Sequence, residues 1–206
     1  MMMSHNSKKI LLVEDQVLVQ GALATLLNLE DHIDIVKTAN NAADALMILK
    51  QNSVDILITD IEMPGISGLD LCQIVKSKYP NIKRIIVTTF CRSGYIKRAV
   101  DDNIDGFILK NSPVEELINC VKDVSLGKRV FSSQLLLKAM DTVDVLNANE
   151  RKALQLVKQG KSNKEIADIL FLSHGTIKNY ISSCIAKLGA SNRVEAIRMA
   201  DKNGLL

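Results

Sequence analysis

Aromatic residues make up only 3% of this 206-residue chain and tryptophan is absent. The stacking platforms that hold single-stranded nucleic acid or RNA bases are therefore not expected. No apolar run approaches the roughly 20 residues that cross a bilayer, and the opening Met1 to Lys9 is polar, which predicts neither a spanning helix nor a secretory signal. The expectation is a cytoplasmic protein with no membrane partner. Cys72, Cys91, Cys120 and Cys184 are scattered, without the C-x-x-C spacing of zinc or redox sites, and read as reduced thiols in packed positions. His5, His32 and His174 are equally isolated and are assigned no chemistry.

What is present is globular: 47% hydrophobic and 24% charged residues, in a chain long enough for two cores. The net charge of +3 hides an asymmetry. Residues 1–130 hold 15 Lys and Arg against 16 Asp and Glu, whereas residues 145–206 hold 10 against 5. A basic C-terminal end suits a polyanion, although a solvated basic face has the same composition.

From Ile10 to Leu126, short β-rich runs alternate with helical patterns, which predicts repeated strand–helix units around a parallel sheet. Strands are expected at Ile10 to Val13, Ile33 to Thr38, Val54 to Thr59, Arg84 to Thr88 and Gly106 to Leu109. Helical stripes recur at Ala42, Ala45, Leu46 and Leu49, and at Leu117, Val121 and Val124. Residues 127–146 read as a linker, with a helical turn or two within Gln134 to Met140. From Asn147 strands vanish and four short helices follow. Asn147 or Asn149 starts the first, Ser162 or Asn163 the second, Ser173 the third, and Ser191 or Asn192 the fourth.

Four strands end in polar groups: Glu14 and Asp15, Asp60, Thr88 and Thr89, and Lys110. In open parallel sheets ligands bind at that carboxyl edge. Singly, each is an ordinary turn residue. Together, acids, a hydroxyl and an amine are what a carboxylate needs to accept a phosphoryl group: Asp60 attacks, and Glu14, Asp15 and Asp60 hold Mg²⁺ with the main-chain carbonyl of Glu62. Lys110 and Thr88 contact phosphoryl oxygens.

The segments LLVEDQ, DILITDIEMPGISGLDL, IIVTTF and GFILK resemble the receiver domain of two-component response regulators over residues 8–126. The resemblance implies a flavodoxin-like, doubly wound, five-stranded α/β fold. It makes Asp60 the phosphoacceptor, Glu14 and Asp15 the metal acids, Thr88 the switch hydroxyl, Phe107 the switch aromatic and Lys110 the phosphate-contacting lysine. Pro113 stands three residues after Lys110 rather than next to it.

In the third C-terminal helix Ile177, Ile181, Cys184, Ile185 and Leu188 form one stripe. The opposite face carries Gly175, Lys178, Asn179 and Ser182, with Lys187 nearer the far end. Periodicity alone fits a helical bundle with a polar surface as well as a DNA reader. The run from Gln159 to Ile197, however, resembles the LuxR/NarL-type helix-turn-helix domain, assigned to residues 147–206. The resemblance implies that Lys178, Asn179 and Ser182 face the major groove and that Thr176 and Lys187 meet phosphates. Val194, Ile197 and Ala200 would then face a twofold partner. The family's Leu-Thr-x-Arg-Glu entry appears as Leu146-Asn147-Ala148-Asn149-Glu150, without the arginine, and Tyr180 replaces a frequent histidine and is expected to pack.

The reading is a phosphorylation-regulated transcriptional regulator, not an enzyme, with a sensor histidine kinase, promoter duplex DNA and a second copy of itself as partners. A phosphatase using Asp60 and Glu62 is the enzymatic rival, and the basic helix-turn-helix speaks against it. A phosphorylation-independent DNA binder is the other rival, and the complete acidic set speaks against that.

Overall fold

The structure is a computed structural model. It describes residues 7–89, 92–132, 135–137 and 146–206, with the backbone alone at Ile35 and Val36. His5, Cys91, Gln134 and Lys138 to Met140 lie outside the described residues. The chain forms two compact units, one built on a sheet and one on the C-terminal helices.

From Lys8 to Ser125 the chain alternates β1 (Lys8–Val13), α1 (Val17–Leu27), β2 (Ile33–Ala39), α2 (Ala42–Gln51), β3 (Ile56–Thr59), α3 (Gly68–Lys78), β4 (Lys83–Thr88), α4 (Ser93–Asp101), β5 (Gly106–Leu109) and α5 (Val114–Ser125). The strands are all parallel, in the order β2-β1-β3-β4-β5. Both sheet faces are covered, which is why β1, β3 and β4 read as near-continuous apolar runs rather than alternating ones. Ile10, Leu12, Ile58, Ile85, Val87 and Ile108 pack with Leu117, Cys120, Val121 and Val124 of α5. The alternate residues Leu11, Val13, Leu57, Ile86 and Phe107 are buried as well.

Strand β3 starts at Ile56 rather than Val54. Asp55 nonetheless joins the ladder at its margin: its N–H donates to the Lys9 carbonyl and its side chain accepts the Lys9 N–H.

The stretch read as a linker departs from the expectation at its start. Val130 bridges β5 in parallel beside Gly106. The Phe107 N–H donates to the Val130 carbonyl at 3.0 Å, and the Val130 N–H to the Asp105 carbonyl at 2.8 Å. An edge strand has unpaired backbone groups, and Val130 pairs two of them at the start of β5, the Phe107 N–H and the Asp105 carbonyl. Within the expected helical turn, Leu135–Leu137 are helical.

The second unit has four described helices, α6 (Ala148–Lys158), α7 (Asn163–Leu170), α8 (His174–Leu188) and α9 (Arg193–Lys202). Asn147 with Glu150, and Ser162 with Glu165, form reciprocal capping boxes, while Ser173 and Asn192 cap α8 and α9. Leu154, Val157, Ile166, Ile177, Ile181, Cys184, Leu188, Ala196 and Ala200 make one core. Leu156, Ile185 and Ile197 lie half-buried against it. Tyr180 also packs there, as expected, its hydroxyl accepting from the Asn149 amide at 3.4 Å.

Candidate functional site

Strand register brings the polar strand ends together. Val13 pairs with Thr59 across β1 and β3, so Glu14 and Asp60 emerge side by side. Thr88 pairs with Leu109, and the Lys110 N–H donates to the Thr88 carbonyl at 2.8 Å. Asp60, Glu14 and Thr88 are buried.

Glu14, Asp15 and Asp60 each offer a carboxylate oxygen, all within 4.8 Å of one another. Three carboxylates so close repel one another, and Lys110 compensates. Its ammonium lies 2.5 Å from Glu14 Oε2 and 2.7 Å from Asp60 Oδ2. Burial pulls the Lys110 ammonium toward losing its proton, but the hydrogen bonds to Asp60 and Glu14 outweigh this and raise its pKa. Burial raises Glu14, and its hydrogen bond with Lys110 only partly offsets the effect. The other Asp60 oxygen accepts the Ile61 N–H at 2.6 Å. Asp15 Oδ1 is buried with no hydrogen-bond partner. A buried carboxylate oxygen without a hydrogen-bond partner, beside two other carboxylates, fits a divalent cation of the oxygen-liganded kind.

The turn after Asp60 is shaped by glycine. Gly65 has φ +83°. A Cβ on Gly68 would lie 1.8 Å from the Asp60 carbonyl oxygen, so only glycine permits this approach. The Gly68 N–H donates to the Ile61 carbonyl at 2.9 Å, closing the loop that presents Asp60. Glu62 is half-buried on this loop.

Phe107 is 1% exposed, its ring stacked on Phe131 with centroids 6.1 Å apart. Gln20 was missed by sequence reasoning: its amide donates to the carbonyls of Glu14 and Ala39, both at 2.8 Å, and so fixes the turn that carries the acids. A glutamine in the first turn of a helix gives no signal of that role.

On α8 the side chains divide as the stripe predicts. Ile177, Ile181, Cys184 and Leu188 are buried, and Lys178, Asn179 and Ser182 are exposed. Thr176 is half-buried, with its hydroxyl 2.9 Å from the capping Ser173 hydroxyl. α7 is closed by its C-cap Phe171, which is left-handed (φ 55°) and 94% exposed, and Ser173 is the N-cap of α8.

Lys187 has an ion-pair partner among the C-terminal helices. Its ammonium is not free on the polar face but lies 2.8 Å from Oε2 of the buried Glu150, which also accepts the Ser183 hydroxyl at 2.6 Å and the Asn147 N–H at 2.7 Å. Burial raises the Glu150 pKa, but the hydrogen bonds from Lys187, Ser183 and Asn147 outweigh it and hold the carboxyl below its ordinary value. Of the two candidate caps, Asn147 and Asn149, the structure uses Asn147; neither its box with Glu150 nor the reach of Glu150 to Lys187, 37 residues away, was anticipated.

Cys72, Cys120 and Cys184 are buried. Burial pushes the first two thiols up to about 12 and the third up to about 11, so they are poor nucleophiles. Among the described residues no helix is long and apolar enough to cross a membrane.

Residues 10–122 match the family model of the response regulator receiver domain, and residues 144–200 match that of the bacterial regulatory proteins of the luxR family. The transcriptional regulatory protein DesR of Bacillus subtilis is 40% identical over 195 residues, spanning 95% of this chain and 97% of its own. The DNA-binding transcriptional activator DevR/DosR of Mycobacterium tuberculosis is 30% identical, over 91% of each chain. Among solved structures, the RcsB response regulator of Salmonella typhimurium has a TM-score of 0.75 at 23% identity, over 96% of this chain and 98% of that one, a likeness of fold. Receiver at one end and helix-turn-helix at the other, the chain belongs to the two-component response regulators with a LuxR-type DNA-binding domain, a family of transcriptional regulators rather than of enzymes.

Proposed function

We propose that Asp60 accepts a phosphoryl group from a sensor histidine kinase and that the modified chain pairs with a second copy on promoter DNA in the cytoplasm. The receiver spans residues 8–126, the linker 127–146, with its first residues docked on β5, and the DNA-binding domain 147–206. The observation that carries the reading is the Lys110 ammonium set between the Asp60 and Glu14 carboxylates at the carboxyl edge of the sheet.

In the transfer, an Asp60 carboxylate oxygen bonds to phosphorus as the P–N bond of the kinase phosphohistidine breaks, and the imidazole nitrogen keeps the electron pair. Held by Asp15, Asp60, the Glu62 carbonyl and Glu14, directly or through water, Mg²⁺ would supply charge neutralisation at the phosphoryl oxygens. Lys110 is placed to move its ammonium from the carboxylates to a phosphoryl oxygen, and Thr88 to donate its hydroxyl to another. Drawing Thr88 inward leaves room for Phe107 to re-pack, which biases a two-state surface. The face offered to the kinase includes α1, which has no charged residue and leaves Val17 71% and Leu18 86% exposed just beyond Asp15.

On DNA, Lys178, Asn179 and Ser182 reach base edges, and Thr176 adds a phosphate contact through the first turn of α8. Lys187 reaches phosphate only by sharing its ammonium with Glu150. Val194 is 71% exposed on α9, beside the half-buried Ile197, and supports a twofold contact there. Ala200 is buried in the core instead and supports α9 from behind.

Intact-mass analysis after incubation with acetyl phosphate and Mg²⁺ tests the reading: one acid-labile phosphoryl group is expected on the wild-type chain and none on Asp60→Asn. An unlabelled wild-type chain, or equal labelling of the variant, overturns it.

A further inference from the structure

Strand β5 is held on one edge by β4 and on the other by the segment following α5. The contacts on that outer edge converge on Phe107. Its N–H donates to the Val130 carbonyl and its ring stacks on Phe131, at 29° between planes. Arg129 anchors the same segment: Nε donates to the Ile104 carbonyl at 3.1 Å, and the guanidinium nitrogens to the Val100 carbonyl at 3.2 Å and Asn103 Oδ1 at 3.3 Å. The guanidinium also stands 5.5 Å over the Phe131 ring. An edge cover needs only the backbone pairs. Here an arginine spans the α4–β5 turn, and an aromatic pair ties the cover to a buried strand residue.

The other end of β5 is Lys110, whose ammonium is bonded to Asp60. A phosphoryl group on Asp60 adds charge and new acceptors, so Lys110 must change partners, and β5 carries that change toward Phe107. We propose that Arg129 and Phe131 are positioning residues for Phe107, and that residues 128–131 form a latch on β5. The latch loosens when Asp60 is phosphorylated and so passes the state of the acidic site into the chain leading to the DNA-binding domain. The inference rests on Asp60 being the phosphoacceptor.

Re-packing of Phe107 withdraws the face on which Phe131 rests, and the backbone pairs at Phe107 and Val130 lose their shelter from water. Linkage makes the effect reciprocal. If a phosphoryl analogue opens the latch, a chain with the latch already open binds the analogue more tightly by the same factor. A mere edge cover has no such reciprocity.

The test uses the full chain with Mg²⁺ and beryllium trifluoride, alongside intact-mass analysis with acetyl phosphate. In the wild type, amide exchange in peptides covering 104–110 and 127–132 should rise about tenfold on adding the analogue. Phe131→Ala and Arg129→Gln should exchange rapidly without it, show little further change and bind it several-fold more tightly, while Phe131→Tyr keeps wild-type behaviour. Thermal unfolding identifies the variants that keep the fold, and the wild-type exchange measurement stands without any variant. A wild-type chain labelled on Asp60 whose latch peptides do not change overturns the latch and leaves the phosphoacceptor standing. So does a folded Phe131→Ala with unaltered affinity for the analogue. A wild-type chain that takes no label overturns both.

Discussion

The ammonium of Lys187 lies 2.8 Å from the carboxylate of Glu150, joining the far end of α8 to the first turn of α6. Glu150 is 3% exposed and serves three donors, so removing it loses a cap and strands the Ser183 hydroxyl and the Lys187 charge. Glu150→Ala should cost about 3 kcal/mol, read by denaturant unfolding of the second unit in the full chain. Because the folded pKa of Glu150 is depressed, its contribution is complete above the ordinary carboxylate value of 4.5 and fades as pH falls through the lower folded value. Glu150→Gln should flatten the loss of stability in that acid window. An unchanged acid profile would count against the network.

Lys178 and Lys187 therefore separate. Lys178→Ala should weaken DNA binding by about 1 to 3 kcal/mol and relax preference at one base position, with unfolding unaltered. Lys187→Ala should lower stability by about 1 kcal/mol, modest because its side chain is 41% exposed, and weaken all DNA sequences alike. Binding titrations on a set of single-base variants, run beside unfolding curves, distinguish the two. Equal effects of both changes on stability and base preference would refute the assignment of α8 faces.

The Lys110 ammonium occupies oxygens of Glu14 and Asp60 that a bound divalent cation would need, so the proposed Mg²⁺ site predicts competition between the two. Lys110→Ala should bind Mg²⁺ more tightly, measured by calorimetry, yet take up phosphoryl from acetyl phosphate roughly 100-fold more slowly, because an aimed donor is lost at the reacting group. A variant with weaker Mg²⁺ binding and unchanged labelling would contradict this account.

Gly68→Ala places a methyl where the Asp60 carbonyl oxygen stands. The loop must shift, at a cost on the order of 2 to 4 kcal/mol. Labelling of Asp60 should slow with it, whereas Gly21→Ala, with open space around its Cβ position, should leave labelling alone. Labelling rates of the two variants decide the point.

Phosphorylation should raise the dimer fraction, and Val194→Glu should reduce that rise by placing charge at the exposed site on α9. Sedimentation velocity with and without acetyl phosphate reports both. An association constant indifferent to phosphorylation would remove dimerisation from the mechanism.

The acidic site was legible because each strand end announces itself locally, an apolar run broken by a carboxylate, hydroxyl or amine. The caps at Asn147, Ser162 and Ser173 were legible for the same reason, since a cap and its partner stand three residues apart. What was hidden depended on pairings across the chain. Val130 and Phe131 look like ordinary apolar residues in a polar stretch until β5 lies beside them, and Lys187 looks like a surface cation until Glu150 comes within reach. Ala200 follows the same rule. Its place on α9 suggested a partner-facing side chain, and only the packing of α9 on α8 turns it inward.

The strand order β2-β1-β3-β4-β5 has a kinetic corollary. With every neighbouring pair parallel, no two strands can meet through a hairpin, and each pairing must wait for the closure of a loop that contains a whole helix. The C-terminal helices, by contrast, close through turns of a few residues between Gln159 and Ser162, Phe171 and Ser173, and Gly189 and Asn192. A denatured chain returned to water is thus expected to complete its helical end first and its sheet later. The part of the chain synthesised first is thereby expected to be the slower to reach its native contacts.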